Sequence, residues 1–200
     1  LIENKIIEPL IYVGSHSNSK AIKNNKIKTH DGLHIKIQYR NFEYVENMDI
    51  GNDFPELSER FKNHMLYFTE ELILGIEKEL KLSFLATDRI FYGVSNGAGF
   101  GANLLNKFPD VIGTYICYST IGSNVENNLW KEDIKYPVLY LQYGNEEDFI
   151  FKQEAEKLKM KYNKSNSFCE LRSFIGGHDY KKWDEEFTKT IIKISNSEIE

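Results

Sequence analysis

The second half of the chain alternates between short apolar runs and longer segments with helical spacing. Nearly continuous apolar runs occur at 90–94, 112–118, 138–143 and 168–175, which is typical of strands buried on both faces. The segments at 98–107, 153–162 and 182–194 have the spacing of helices. This alternation predicts an α/β fold, with a mostly parallel sheet covered by helices on both faces.

The first half of the chain has a less regular pattern. The apolar run at 10–13 ends at Gly14 and a polar stretch, which predicts a buried strand followed by a surface loop. Asp31-Gly32 precedes the alternating residues 33–39, and this combination predicts a small exposed hairpin outside the central sheet.

A single apolar stripe predicts one long helix between Pro55 and Leu80. Its members recur every three or four residues, at Leu57, Phe61, Met65, Phe68, Leu72, Ile76 and Leu80. Residues 124–136 have no clear period, and we interpret them as a loop with a short helix.

Composition and charge limit the partners of the protein. A chain of 200 residues without repeats or a low-complexity linker predicts one domain over residues 1–200. The net charge is −5 and no dense block of Lys or Arg occurs, so a nucleic-acid partner has little electrostatic support. No apolar run approaches the roughly 18 residues that a membrane-spanning helix needs.

The two cysteines, Cys117 and Cys169, are too far apart in sequence for a disulfide framework or a zinc site. We interpret them as buried free thiols. They leave the cellular compartment open.

The most informative stretch is Gly93-Val94-Ser95-Asn96-Gly97, a Gly-x-Ser-x-Gly motif between a predicted strand and a predicted helix. A serine on such a turn has a strained backbone, and glycine at the flanking positions lets strand and helix approach closely. Ser95 is therefore our candidate nucleophile. The backbone N–H of Asn96, at the helix N-terminus, is a candidate donor to an oxyanion.

A serine nucleophile needs a histidine base. His178 follows the last predicted strand in a glycine loop, at the same sheet edge as Ser95, and is our candidate. His30 and His34 straddle the predicted turn, so they cannot form a metal pair on one helical face. His64 is interpreted as structural and His16 as a residue that could line the site.

The carboxylate that orients the base should follow the strand at 138–143. Three adjacent candidates occur there, Glu146, Glu147 and Asp148. A glutamate has the longer reach, and Glu146 lies closest to the strand end. The residues alone therefore leave both Glu147 and Asp148 open as the carboxylate nearest the ring of His178.

Most of the chain resembles the esterase D and enterochelin-esterase-like branch of the α/β-hydrolases. The resemblance rests on four stretches of the chain. The first two are an RxxEY pattern, with Arg40, Glu43 and Tyr44, and the segment from Glu70 to Glu77 in the long helix. The other two are the serine turn with its continuation to Lys107-Phe108-Pro109-Asp110, and Gly177-His178-Asp179 followed by Trp183. The order serine, carboxylate, histidine is that of α/β-hydrolases.

This resemblance implies a serine hydrolase that cleaves small carboxylic esters or thioesters through an acyl-serine, without metal or cofactor. It assigns Ser95 as nucleophile, His178 as base and the residue three after Gly144, Glu147, as acid. Two other functions remain open, a non-catalytic binding scaffold with this fold and an acyltransferase in which an alcohol replaces water.

The family has further strands before the run at 10–13, and the last of them ends in a loop that supplies a second oxyanion donor. No such segment precedes Leu1, which is not Met. We therefore expect a sheet that lacks the N-terminal strands, either because the 200 residues are a fragment of a longer esterase or because this is a shortened relative with an incomplete oxyanion hole. Losing one such donor typically costs about 2.7–4 kcal/mol of transition-state stabilisation.

Overall fold

A computed structural model describes residues 1–28, 34–47 and 54–197. Its strands are β1 (Ala21–Lys28), β2 (His34–Gln38), β3 (Ile90–Val94), β4 (Thr114–Tyr118), β5 (Val138–Gly144) and β6 (Cys169–Phe174). Its α-helices are α1 (Tyr39–Tyr44), α2 (Arg60–Leu66), α3 (Ile73–Leu80), α4 (Asn96–Lys107), α5 (Phe149–Lys164) and α6 (Tyr180–Ser197).

The central sheet has four parallel strands in the order β3-β4-β5-β6. All four strands predicted from the apolar runs are present, with ends that differ by up to two residues from the prediction. Helices α4, α5 and α6 include the segments predicted to be helical and extend beyond them by up to four residues at an end. Because the strands are parallel, their carboxyl ends share one edge of the sheet, where the turn at Ser95 and the loop with His178 emerge.

Alternate residues of each strand enter two separate cores. On β4, Tyr115 and Cys117 face a core built with α2, α4 and α5, while Ile116 and Tyr118 face a core built with α6. All four side chains are fully buried, and each large apolar side chain contributes roughly 1.5–3 kcal/mol when it is removed from water. The prediction of helices on both faces is confirmed. Cys117 and Cys169 are buried and free.

The long helix predicted for 55–80 is present from Arg60 to Leu80. It begins after a 3-10 turn (Pro55–Leu57) and runs through α2, a π-helical segment (Tyr67–Leu72) and α3. Phe61 and Met65 of the predicted stripe are buried, whereas Leu80 is exposed. The first half of the helix therefore covers the sheet, and its last turns extend beyond the core.

The predicted hairpin is also confirmed. Strands β1 and β2 pair antiparallel in a sheet of their own, and Ile37 packs against Phe42 and Leu57 in a small third core. The turn predicted at Asp31-Gly32 lies outside the described residues. The carboxylate of Glu43 joins this region to its neighbours. It accepts a hydrogen bond from Asn18 N–H at 2.8 Å and forms an ion pair with Arg60 at 3.3 Å.

The buried strand predicted at 10–13 is wrong. This segment has irregular backbone, and the side chains of Leu10 and Tyr12 are 49% and 81% exposed. It lies beside the edge strand β3, with which Tyr12 and Val13 line a common cavity. A strand is stabilised by hydrogen bonds to a neighbouring strand. Residues 10–13 stay irregular because no strand in the described part of the chain pairs with them.

The short helix predicted within 124–136 is also wrong, because this segment forms turns. Asn124 has a left-handed backbone with φ 49°, and Asn127 donates its side-chain amide to the Asn124 side chain at 2.9 Å. Asn128 donates to the backbone of Ser123 at 3.1 Å. Asparagine side chains that bond locally in this way compete with helix formation.

Candidate active site

Ser95 lies on the turn between β3 and α4 with a backbone that a non-glycine residue rarely adopts. Its φ is 55° and its ψ is −127°, a conformation that costs of order 1–3 kcal/mol and is common at functional sites. Two hydrogen bonds hold the turn. Ser95 N–H donates to Tyr118 O at 2.9 Å, and Gly99 N–H donates to Ser95 O at 3.1 Å.

Close approach of strand and helix requires glycine at three positions here. A Cβ on Gly93 would lie 2.6 Å from the carbonyl oxygen of Gly97, one on Gly99 would lie 2.0 Å from that of Ile121, and one on Gly101 would meet the ring of Phe91 at 2.2 Å. Gly97 differs from the expectation, because a Cβ there would meet nothing within 4 Å. The reason is that Gly97 borders a cavity instead of another backbone.

His178 follows β6 in a loop that is fastened to the loop after β5. Asn145 N–H donates to Phe174 O at 3.0 Å, and Glu146 N–H donates to Gly176 O at 3.0 Å. The imidazole lies between two rings, with centroid distances of 4.8 Å to Phe151 and 4.6 Å to Trp183. Its Nε2 lies 3.1 Å from Ser95 Oγ.

Of the three adjacent carboxylates, Glu147 is the one in contact with the histidine. Glu147 Oε1 lies 2.7 Å from His178 Nδ1, and its side chain is 1% exposed. Asp148 instead caps α5, where its Oδ1 accepts from Ile150 N–H at 3.1 Å. Glu146 is exposed.

The Glu147 carboxylate is held in its ionised form by three donors. Burial alone would raise its pKa, but hydrogen bonds from His178, from Ser119 and from the Gly144 backbone outweigh burial and hold the pKa below its ordinary value. The Gly144 N–H reaches Oε2 at 2.7 Å. Since an ionised carboxylate only accepts, His178 Nδ1 carries the hydrogen and its Nε2 presents a lone pair to Ser95.

A cavity of about 400 Å³ opens in front of Ser95. Its lining includes Ser95, His178, Tyr180 and Arg40. Arg40 Nε is buried without a partner, and among the described residues the Arg40 guanidinium has no acidic partner, in contrast to Arg60, Arg89 and Arg172. Arg40 therefore brings to the cavity a positive charge that no carboxylate of the described residues pairs with.

A second cavity of about 360 Å³ adjoins the first, since Tyr44 and Gly97 line both. His16, which the sequence suggested as a residue that could line the site, lines this second cavity and not the one in front of Ser95. His64 lines it too and packs against Tyr44 at 5.3 Å between ring centroids. Burial lowers the pKa of His64 although Glu43 opposes this shift.

Asn96 is the first residue of α4, so its backbone N–H has no acceptor within the helix. In the described part of the chain no group of three or more His, Cys, Asp or Glu side chains could hold a metal ion. No helix within the described ranges is long and apolar enough to cross a membrane.

Three residues of this site were not found from the sequence. Ser119 follows β4 at the same sheet edge as Ser95, and this position in the sequence could have indicated that it lies near the site. Phe151 lies within the predicted region of α5 with no signal of its own. Arg40 was noted only through the RxxEY pattern, which does not reveal that it borders the cavity.

The sheet order, the serine turn between β3 and α4 and the histidine loop after β6 define an α/β-hydrolase fold. No protein-family model matches the chain, and no curated protein matches it. Solved structures do match, and several of them are esterases.

Three of these structures illustrate the likeness. A ferulic acid esterase is 16% identical, with a TM-score of 0.55 over 66% of this chain and 60% of its own. Enterochelin esterase from Shigella flexneri is 17% identical, with a TM-score of 0.58 over 69% of this chain and 38% of its own. S-formylglutathione hydrolase FrmB from Staphylococcus aureus is 14% identical, with a TM-score of 0.50 over 92% of this chain and 98% of its own.

The chain thus matches only 60% of the length of the ferulic acid esterase. At these identities the likeness shows that the fold is shared.

Proposed function

We propose that this protein is a serine hydrolase that cleaves small carboxylic esters or thioesters through an acyl-serine intermediate. The observation that carries the proposal is the continuous chain from Ser95 Oγ to His178 Nε2 at 3.1 Å and from His178 Nδ1 to Glu147 Oε1 at 2.7 Å. This is the arrangement in which a hydroxyl is activated by an oriented base. The names of similar structures, among them a ferulic acid esterase and an enterochelin esterase, also support an ester substrate.

In the first half of the reaction, Ser95 Oγ attacks the carbonyl carbon while its proton moves to His178 Nε2. The carbonyl π electrons move to oxygen and form a tetrahedral oxyanion. His178, now an imidazolium, is stabilised by the Glu147 carboxylate. As the oxyanion collapses, the bond to the leaving group breaks and His178 gives its proton to the alcohol or thiol.

In the second half, water attacks the acyl-serine and His178 takes its proton. The second tetrahedral intermediate collapses by breaking the bond to Ser95 Oγ, which recovers its proton from His178. One ester and one water thus yield one acid and one alcohol. No other reactant is consumed, and the enzyme is regenerated.

In this proposal two groups stabilise the oxyanion. The Asn96 N–H has no intrahelical acceptor, and the N-terminus of α4 favours negative charge. The Arg40 guanidinium borders the same cavity, and within the described ranges no carboxylate forms an ion pair with it. We assign Asn96 N–H as one donor and Arg40 as the source of the second, electrostatic contribution.

The test of this function is covalent labelling with a fluorophosphonate probe, followed by mass measurement of the intact protein. The wild-type protein should gain the mass of one probe less that of HF, because the Ser95 oxygen bonds to phosphorus while fluoride leaves and takes up the serine proton. Ser95→Ala should gain none. The control Ser173→Ala removes an exposed hydroxyl on β6 and should label like wild type. A wild-type protein that is folded and resists labelling would contradict the proposal and favour a non-catalytic scaffold.

Replacing Arg40 tests its contribution to the oxyanion. Arg40→Met should lower kcat by about 10²–10³-fold, the usual cost of losing one oxyanion donor, with a smaller change in KM. The control Arg172→Met removes an exposed guanidinium that pairs with Glu170 and should retain the wild-type kcat. If Arg40→Met changed KM alone, Arg40 would bind the substrate and the transition state equally and would make no oxyanion-specific contribution.

A further inference from the structure

Ser119 lies directly after β4, beside the loops that hold Glu147 and His178, and its conformation is unusual. It is fully buried and has a left-handed backbone with φ 49°. Its N–H donates to Gln142 O at 2.7 Å. A left-handed backbone costs a non-glycine residue of order 1–3 kcal/mol. Contacts with the surrounding fold offset this cost and fix the direction of the Ser119 side chain.

The Ser119 hydroxyl joins two groups of the site. Trp183 Nε1 donates to Ser119 Oγ at 2.9 Å, and Ser119 lies beside Glu147, whose pKa it lowers. Indole N–H can only donate, so the hydroxyl accepts from Trp183. Its own hydrogen is then free to point toward Glu147, whose ionised carboxylate can only accept.

Trp183 has a second contact that closes this arrangement. Its ring meets the His178 ring edge-on, with centroids 4.6 Å apart and planes at 87°, and its side chain is buried. His178, Glu147, Ser119 and Trp183 thus form a closed ring of contacts. Each neighbour in the ring restrains the position of the next.

Ser119 does not line either cavity at the site, so it has no place in substrate contact. We propose that Ser119 is a positioning residue, whose hydroxyl, oriented by Trp183, fixes the Glu147 carboxylate against His178. This inference rests on the proposed hydrolase function for its consequence in catalysis. The geometry of the ring itself is independent of that function.

The adjacent Thr120 offers a matched control. It is also fully buried, but its Oγ1 has no hydrogen-bond partner. Thr120→Val removes a hydroxyl that bonds to nothing and keeps the shape of the side chain. Ser119→Ala removes the hydroxyl that bonds to Trp183 and Glu147.

The first experiment does not require activity. In a Ser95→Ala background, the Glu147 carboxyl is titrated by carbon NMR with and without Ser119→Ala. Because the Ser119 hydrogen bond lowers the pKa of Glu147, its removal should raise that pKa, and Thr120→Val should leave it unchanged. An unchanged Glu147 titration in a folded Ser119→Ala protein would overturn the inference.

The second experiment measures ester hydrolysis with Ser95 intact. Ser119→Ala should lower kcat by about 10–100-fold, as expected for one lost hydrogen bond to a charged group, while KM stays near the wild-type value. An unchanged kcat would overturn the positioning role. If wild type shows the expected Glu147 titration and no hydrolysis, the proposed function fails while the ring of contacts stands.

Trp183→Phe keeps the inference testable if Ser119→Ala does not fold. This change keeps an aromatic ring beside His178, makes the side chain smaller and removes the Nε1–H that orients Ser119. The pKa of Glu147 should rise in the same direction as for Ser119→Ala. A Glu147 titration identical to that of the parent protein would count against the relay from Trp183.

Discussion

Ser95→Ala and His178→Ala should each lower kcat for ester hydrolysis by roughly 10⁶-fold, and the double variant should lose no more than either alone. The hydroxyl is not activated without the base, and the base has no proton to accept without the hydroxyl. Their 3.1 Å contact makes them one unit. The remaining rate would come from substrate binding and oxyanion stabilisation.

The measurement is steady-state turnover of an activated ester by the four proteins, with the Ser173→Ala control treated in the same way. Turnover by Ser95→Ala above one hundredth of the wild-type rate would exclude Ser95 as the nucleophile. Losses that multiply in the double variant would show that the two residues act independently. Thermal unfolding of each variant separates loss of chemistry from loss of fold.

Glu147→Gln should lower kcat by about 10⁴-fold, the loss found when the acid of such a triad becomes an amide. The amide could donate a hydrogen to His178 Nδ1, which would favour the tautomer with its hydrogen on Nε2. That tautomer cannot accept the Ser95 proton. The amide also cannot stabilise the imidazolium that forms during the reaction.

Asp148→Asn is the matched control, because it changes the next residue along the chain from acid to amide. Asn caps a helix about as well as Asp. The side-chain oxygen of residue 148 can therefore still accept the hydrogen bond from Ile150 N–H. We expect kcat close to that of the wild type. The opposite ranking, with Asp148→Asn inactive and Glu147→Gln active, would transfer the acid role to Asp148.

Residues 10–13 show where local pattern fails. Four apolar residues before a glycine are typical of a strand, and the pattern at β3 is of the same kind. The difference lies in pairing, because β3 has β4 as a neighbour over its whole length and the segment 10–13 has none among the described strands. Pairing partners are distant in sequence, so apolar pattern alone does not predict them.

The loop after β5 shows a second limit. Three adjacent carboxylates follow this strand, at Glu146, Glu147 and Asp148. Their spacing from the strand ranks them as partners for His178 but does not decide which one contacts it. The backbone of the turn decides, since Glu147 N–H donates to Gly144 O at 3.2 Å while its carboxylate turns back to the Gly144 N–H. That turn directs Glu147 to the histidine and leaves Asp148 to cap α5.

The sequence by itself determined the four parallel strands, the helices on both faces and the turn that carries Ser95, because these depend on periodicity and glycine placement within short windows. Only the tertiary structure decided that Glu147 meets His178, that Arg40 borders the cavity and that Ser119 joins Glu147 to Trp183. Ser119 and Trp183 are 64 residues apart. Contacts over such separations arise from the packing of α6 on the sheet, which no local pattern encodes.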